Sequence, residues 1–179
     1  CSPNSELCNT AERYGINYLR LDQNFSDLSD PGNIGQLIEW VSQHKGCHLH
    51  GSLPCTVWSS WQYMAIKKYG EKYLKKLMRR RQKSISMFHN FVALAEAVRE
   101  GGGTVSFEWP RHCFGWVQKP VMEFIQCFQL QEALCDGCAF GMEHDGVPLL
   151  KPWRIVTDHP LLAHNLSQHK CTHPHGSST

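Results

Sequence analysis

The sequence predicts an α/β fold: a parallel sheet with helices packed on both of its faces. Three observations carry this expectation. Short apolar or alternating stretches, at 16–22, around Cys47 to Leu53 and at 104–110, are separated by segments with helical spacing. Each stretch closes on a chemistry-bearing residue, Asp22, Cys55 and Glu108 in turn. The chain has 179 residues, 41% hydrophobic and 19% charged, which suits one domain with one core. In such sheets ligands gather outside the carboxyl ends of the strands, which is where these three side chains are expected.

The elements follow in order. The chain opens at Cys1 on the loop-like CSPNSELCNTAERYG, with neither an initiator methionine nor a strand ahead of it, and so reads as a fragment of something longer. INYLRLD, 16–22, alternates and predicts a strand ending on Asp22. Asp30-Pro31 predicts a helix start, continued by Ile34, Leu37, Ile38 and Val41 at helical spacing and stopped by glycine. CHLHGSL predicts a second strand that delivers Pro54 and Cys55 to its end. A long helix is expected from Glu71 to Arg99, with Leu74, Leu77, Met78, Ile85, Phe88, Val92, Leu94, Ala95 and Val98 as its apolar stripe. TVSFEWP, 104–110, is the third strand. Beyond it come a polar loop, a helix near 120–131, short strands around ALCDGCAFGM and WRIVTD, and a short helix near 160–167. This gives an α/β domain over 1–170 and a Cys/His-rich tail over 171–179.

Composition excludes disordered and fibrous classes. No apolar run approaches the ~18 residues of a membrane span, and no signal peptide opens the chain, so a cytoplasmic or nuclear protein is expected. Nine cysteines, an odd number at irregular spacing, read as reduced thiols or metal ligands rather than a disulfide scaffold. Nine of the eighteen Lys and Arg residues lie within 67–83, with Glu71 the single acid among them. That block, including Arg79, Arg80 and Arg81, is either a solvated helix face or a track for a phosphate backbone. Arg111 is open to the same two readings, a phosphate contact or a surface ion pair.

Cys55 is a nucleophile or a buried thiol in a turn; Glu108 and Asp22 are ligand-binding acids or loop and strand-end acids. Trp58, Trp61, Trp109 and Trp116 serve either as core or as stacking platforms. Cys135-Asp-Gly-Cys138, with Cys171, His173 and His175 near the end, offers sulfur and imidazole donors suited to zinc, taken here as Cys135, Cys138, Cys171 and His173.

The order of these elements and the residues at the strand ends resemble the cytosine-C5 DNA methyltransferases, above all their compact relatives in phages and mobile elements. CSPNS resembles the loop that holds S-adenosylmethionine, RLD the acid that binds its ribose, SDLSD the acidic turn near its adenine, LPCTVWS the nucleophile loop and FEWPR the glutamate that holds the target base. CAFGM, KPWRIVTD and CTHPHG resemble a later run in the same relatives. Leu53, Thr56 and Trp109 depart from the residues usual at their places. The resemblance implies a three-layer Rossmann-like fold of the S-adenosylmethionine-dependent methyltransferase type, with its first strand missing. It further implies Cys55 and Glu108 as catalytic residues and Ser2, Asn4, Asp22, Asp27 and Pro54 as cofactor-binding residues. DNA is the implied partner, RNA not being excluded, and a phage or mobile-element polyprotein the implied parent. Two alternatives stand beside it: a catalytically inactive nucleic-acid-binding remnant of the same fold, and a hydrolase pairing Cys55 with His48, His50 or His89.

Overall fold

The computed structural model describes residues 6–22 and 27–173. Its principal sheet holds β1 (His48–Gly51), β2 (Thr104–Pro110), β3 (Gln131–Asp136) and β6 (Pro152–Thr157), in the order β1-β2-β6-β3. β4 (Glu143–His144) and β5 (Val147–Pro148) form a separate small hairpin. The helices are α1 (Glu6–Arg13), α2 (Pro31–Gln43), α3 (Trp61–Glu100), α4 (Lys119–Cys127) and α5 (Pro160–Ser167).

The expected α/β mixture is present, but the sheet is not wholly parallel. β1 and β2 are parallel, joined through α3, whereas β6 runs antiparallel to both β2 and β3. The cause lies in the connection. A parallel return needs a crossover of about a dozen residues or more, usually a helix. The link from β3 to β6 is spent on a 3₁₀ turn and the β4/β5 hairpin, so the chain comes back reversed.

The stretch 16–22 also departs from expectation. It joins no ladder among the described residues; Leu19 and Leu21 pack on the core while Arg20 Nε pairs with Asp22 Oδ2 at 3.0 Å. α2 begins where Asp30-Pro31 placed it, with Asp30 Oδ1 accepting from the Gly32 N–H at 2.9 Å. The long helix starts earlier than Glu71, at Trp61, and is bent at Gly70 (φ 67°), a conformation glycine adopts at little cost.

Side-chain alternation along β1 and β2 divides the sheet into two faces. Val105, Phe107 and Trp109 point toward α3, where they meet Phe88 and Phe91, with Trp116 and Phe124 completing a buried aromatic cluster. Its rings pack edge-on or tilted: Phe107 to Trp109 at 4.8 Å, Phe91 to Phe107 at 5.2 Å and Phe88 to Phe107 at 5.3 Å. On the other face α5 covers the β6–β3 end, with Ala133, Ile155 and Ala163 buried there.

Two glycines permit the closest approaches. A Cβ on Gly51 would lie 2.5 Å from the Phe91 ring, and one on Gly103 would lie 1.8 Å from the Cys47 carbonyl oxygen. The second obstacle is backbone and cannot step aside. Gly103→Ala should therefore lower unfolding stability by about 3 kcal/mol or more. Gly35→Ala, on an open helical position, should leave stability unchanged or raise it by ~0.5–1 kcal/mol. Urea denaturation of the two variants checks the contrast.

Candidate active site

The parallel register sets His48 beside Thr104 and Gly51 beside Phe107. Continued by one residue, it sets Ser52 beside Glu108, and the Ser52 Oγ–H donates to Glu108 Oε2 at 2.7 Å. One residue further, the Trp109 indole N–H donates to the Leu53 carbonyl at 2.7 Å. The two strands thus leave the sheet together, and Pro54 and Cys55 follow directly after β1, with Cys55 packed against the core.

Cys55 opens the 3₁₀ turn Thr56–Trp58, its carbonyl accepting from the Trp58 N–H at 2.8 Å. α3 grips this turn from below. Gln62 Nε2 donates to the Thr56 carbonyl at 2.8 Å, Arg81 Nε to the Val57 carbonyl at 3.1 Å, and Trp58 Nε1 to Ser84 Oγ at 2.9 Å. The Arg81 guanidinium also lies 5.0 Å from the Trp58 ring centre. The sulfur is therefore placed by strand pairing on one side and by helix contacts on the other.

Burial raises the Cys55 thiol pKa and the negative charge of Glu108 raises it further; its own backbone N–H and the Lys151 ammonium act in the opposite sense. Cys113 belongs to the same surroundings. Burial pushes it up to about 11, assisted by Cys55 and Glu108 and opposed by the Gly115 N–H. Both groups rest as neutral thiols near pH 7. Sequence reasoning misses Ser52, Cys113 and Lys151. Ser52 is accessible through strand register alone, whereas Cys113 and Lys151 come close only through tertiary folding.

The other expected residues are dispersed. Ser2 and Asn4 lie outside the described residues. Asp22 pairs with Arg20, and Asp27 accepts from the Ser29 hydroxyl at 2.7 Å and the Ser29 N–H at 2.9 Å, bonds that hold its carboxyl below the ordinary value. Arg79 and Arg80 are exposed on α3, while Arg81 is committed to the nucleophile turn. Arg111 bonds Asp136 Oδ1 at 2.9 Å and the Cys135 carbonyl at 3.3 Å, leaving its Nε buried without a partner among the described residues. Trp58, Trp109 and Trp116 are buried core residues and present no stacking surface; Trp61 is exposed.

Of the four expected metal ligands, Cys138, Cys171 and His173 bring their donor atoms within 4.8 Å of one another, a group that can hold a metal ion. Cys135 is fully buried in β3 and is not part of it. The histidines suggested as partners of Cys55 point elsewhere: His48 Nδ1 lies 2.5 Å from Thr104 Oγ1 and His50 Nδ1 2.8 Å from Ser106 Oγ. The charges felt at the Cys55 sulfur are those of Glu108 and Lys151, not of a histidine. His48 and His50 instead line a cleft of about 380 Å³ with His159 and Asn165. A second groove, of about 450 Å³, runs beside α3 between Trp58, Ile85 and His89. Neither includes Cys55, which is half-buried and packs against the aromatic core, or Glu108, which is half-buried near the end of β2.

Comparison with protein-family models, with curated proteins and with solved structures finds no match. Among the described residues no helix is long and apolar enough to cross a membrane.

Two outcomes follow from the electrostatics. Removing the Glu108 charge removes one of the causes that raise the Cys55 pKa. Glu108→Gln should therefore speed iodoacetamide labelling of Cys55 at pH 8, and Lys151→Met should slow it, as read by peptide mass spectrometry.

Proposed function

We propose that this domain handles a cytosine base of DNA at the Cys55–Glu108 rim, as a C5 methyltransferase of the S-adenosylmethionine-dependent, Rossmann-like type or a close derivative of one. The observation that supports this reading is the parallel exit of β1 and β2, after which the Glu108 charge acts on the Cys55 thiol. A duplex base does not reach these two groups while stacked, so the target base is turned out of the helix.

The chemistry asks two things of these residues. Cytosine C5 is a weak nucleophile, and addition of the Cys55 sulfur at C6 pushes electron density onto it. Glu108 holds the ring at N3. The two roles are coupled here. Glu108 raises the Cys55 pKa while its charge is uncompensated, so a ring that carries a proton at N3 and pairs with Glu108 relieves that effect. The sulfur then gives its proton to solvent more readily. The base thus assists in activating the thiol that attacks it, and until a base arrives the sulfur stays protonated and unreactive.

S-adenosylmethionine would supply the methyl group. The described residues do not by themselves form its cradle, since Asp22 and Asp27 are engaged by Arg20 and Ser29. That engagement favours a second reading, in which the domain binds nucleic acid without catalysis through the exposed basic side chains of α3, Arg79 and Arg80 among them.

Transfer of labelled methyl groups from S-adenosylmethionine to DNA, with RNA as a parallel substrate, separates the readings. The methyltransferase reading expects incorporation by the wild-type chain and none by Cys55→Ser or Glu108→Ala. Equal background from all three proteins, with DNA still retained, would leave only the binding role. In either case Arg79→Ala/Arg80→Ala should weaken DNA binding and flatten its dependence on log salt by about 0.9 for each phosphate that is no longer neutralised. An unchanged salt slope would remove α3 from the interface.

A further inference from the structure

We infer that Cys138, Cys171 and His173 form a structural zinc site that fastens the segment after α5 to the turn after β3. The inference is independent of the methyl-transfer reading.

The two halves of the site are each held in place without the metal. Cys138 sits in the 3₁₀ turn Gly137–Phe140, closed by Gly141 at φ 77° and by the Gly141 N–H donating to the Cys138 carbonyl at 3.1 Å. Gly137 fixes the turn against its neighbours, since a Cβ there would lie 3.0 Å from Met142 Sδ and 3.2 Å from Lys151 Cβ. The second half is laid along β3. The Asp136 N–H donates to the His169 carbonyl at 3.0 Å, the Cys171 N–H donates to Asp136 Oδ2 at 3.0 Å, and Lys170 Nζ donates to the Leu134 carbonyl. The His169 ring stacks on Phe140 with centroids 4.4 Å apart and planes 11° from parallel.

These contacts bring the donors to within a small adjustment of a coordination shell. With Zn–S near ~2.3 Å and Zn–N near ~2.0 Å, tetrahedral ligands stand roughly 3.3–3.8 Å apart. Cys171 Sγ and His173 Nδ1 are already 3.7 Å apart, and all three donor atoms lie within 4.8 Å. The Asp136 carboxylate is not a fourth ligand, because Arg111 takes one oxygen and the Cys171 N–H the other; its role is to orient the loop that carries Cys171. The fourth corner falls to solvent. Two thiolates and an imidazole select zinc over magnesium or calcium, and binding releases the two thiol protons to solvent. The competing use of the same geometry is a Cys138–Cys171 disulfide.

The full chain, purified under reducing conditions, is assayed for zinc by mass spectrometry and titrated with Co²⁺. One equivalent of metal and a thiolate-to-cobalt charge-transfer band are expected. Cys138→Ser, Cys171→Ser and His173→Ala should each weaken Co²⁺ binding by about tenfold or more, a loss that even supporting residues can cause. Cys127→Ser, at an exposed position on α4, should bind as the wild type does. Three results would overturn the site: a folded chain that gives no cobalt band, full affinity retained in both Cys138→Ser and Cys171→Ser, or a metal-free chain two hydrogens lighter with peptides joined through Cys138 and Cys171.

Discussion

The parallel pairing of β1 with β2 is the constraint on which the candidate site depends. It is sealed by Phe91 and Phe107 filling the space that the missing side chain of Gly51 leaves open. With that seam fixed, register does the rest: Ser52 meets Glu108, Leu53 receives the Trp109 indole, and Pro54-Cys55 follows, its sulfur within the electrostatic influence of Glu108. A one-residue slip would turn Glu108 toward α3 and bury a carboxylate among aromatic rings. The hydrophobic cluster and the polar rim are therefore two consequences of one alignment.

The electrostatic state of the rim follows from what is packed around it. A thiol beside a carboxylate and partly withdrawn from water is a poor nucleophile at rest. The nearest opposing influences on Cys55 are its own backbone N–H and Lys151. Lys151 belongs to the segment that leads into β6, and Gly137, before Cys138, packs against it. Arg111, just beyond Glu108 and Pro110, reaches across to Asp136, which in turn holds the Cys171 loop. The rim and the Cys/Cys/His cluster are thus linked by one chain of ionic and backbone contacts across the end of the sheet.

Much of this was legible in the residues. Alternation and turn residues placed the strand at 104–110, Asp30-Pro31 placed the start of α2, and the short helix expected near 160–167 is α5. Cys55 and Glu108 stood out because both follow strand-like runs. Strand direction was less visible, although the absence of a helical pattern between Asp136 and Pro152 carried the information that β6 returns antiparallel. INYLRLD alternates like a strand, yet alternation describes only burial on one side; it does not supply a neighbour to pair with. Trp58, Trp109 and Trp116 illustrate the opposite limit, since a large aromatic in a motif looks the same whether it faces a base or the core. Cys135 was grouped with Cys138 by spacing, but the end of β3 separates their environments.

Thiol bridging between positions 55 and 108 tests the central claim most directly. In a Glu108→Cys variant, dibromobimane fluoresces only when it joins two neighbouring sulfurs, and peptide mapping identifies which ones. The structure requires a 55–108 bridge that disappears when Cys55 is changed to Ser. A folded variant that labels at both positions without ever joining them would show that the two side chains do not share an edge.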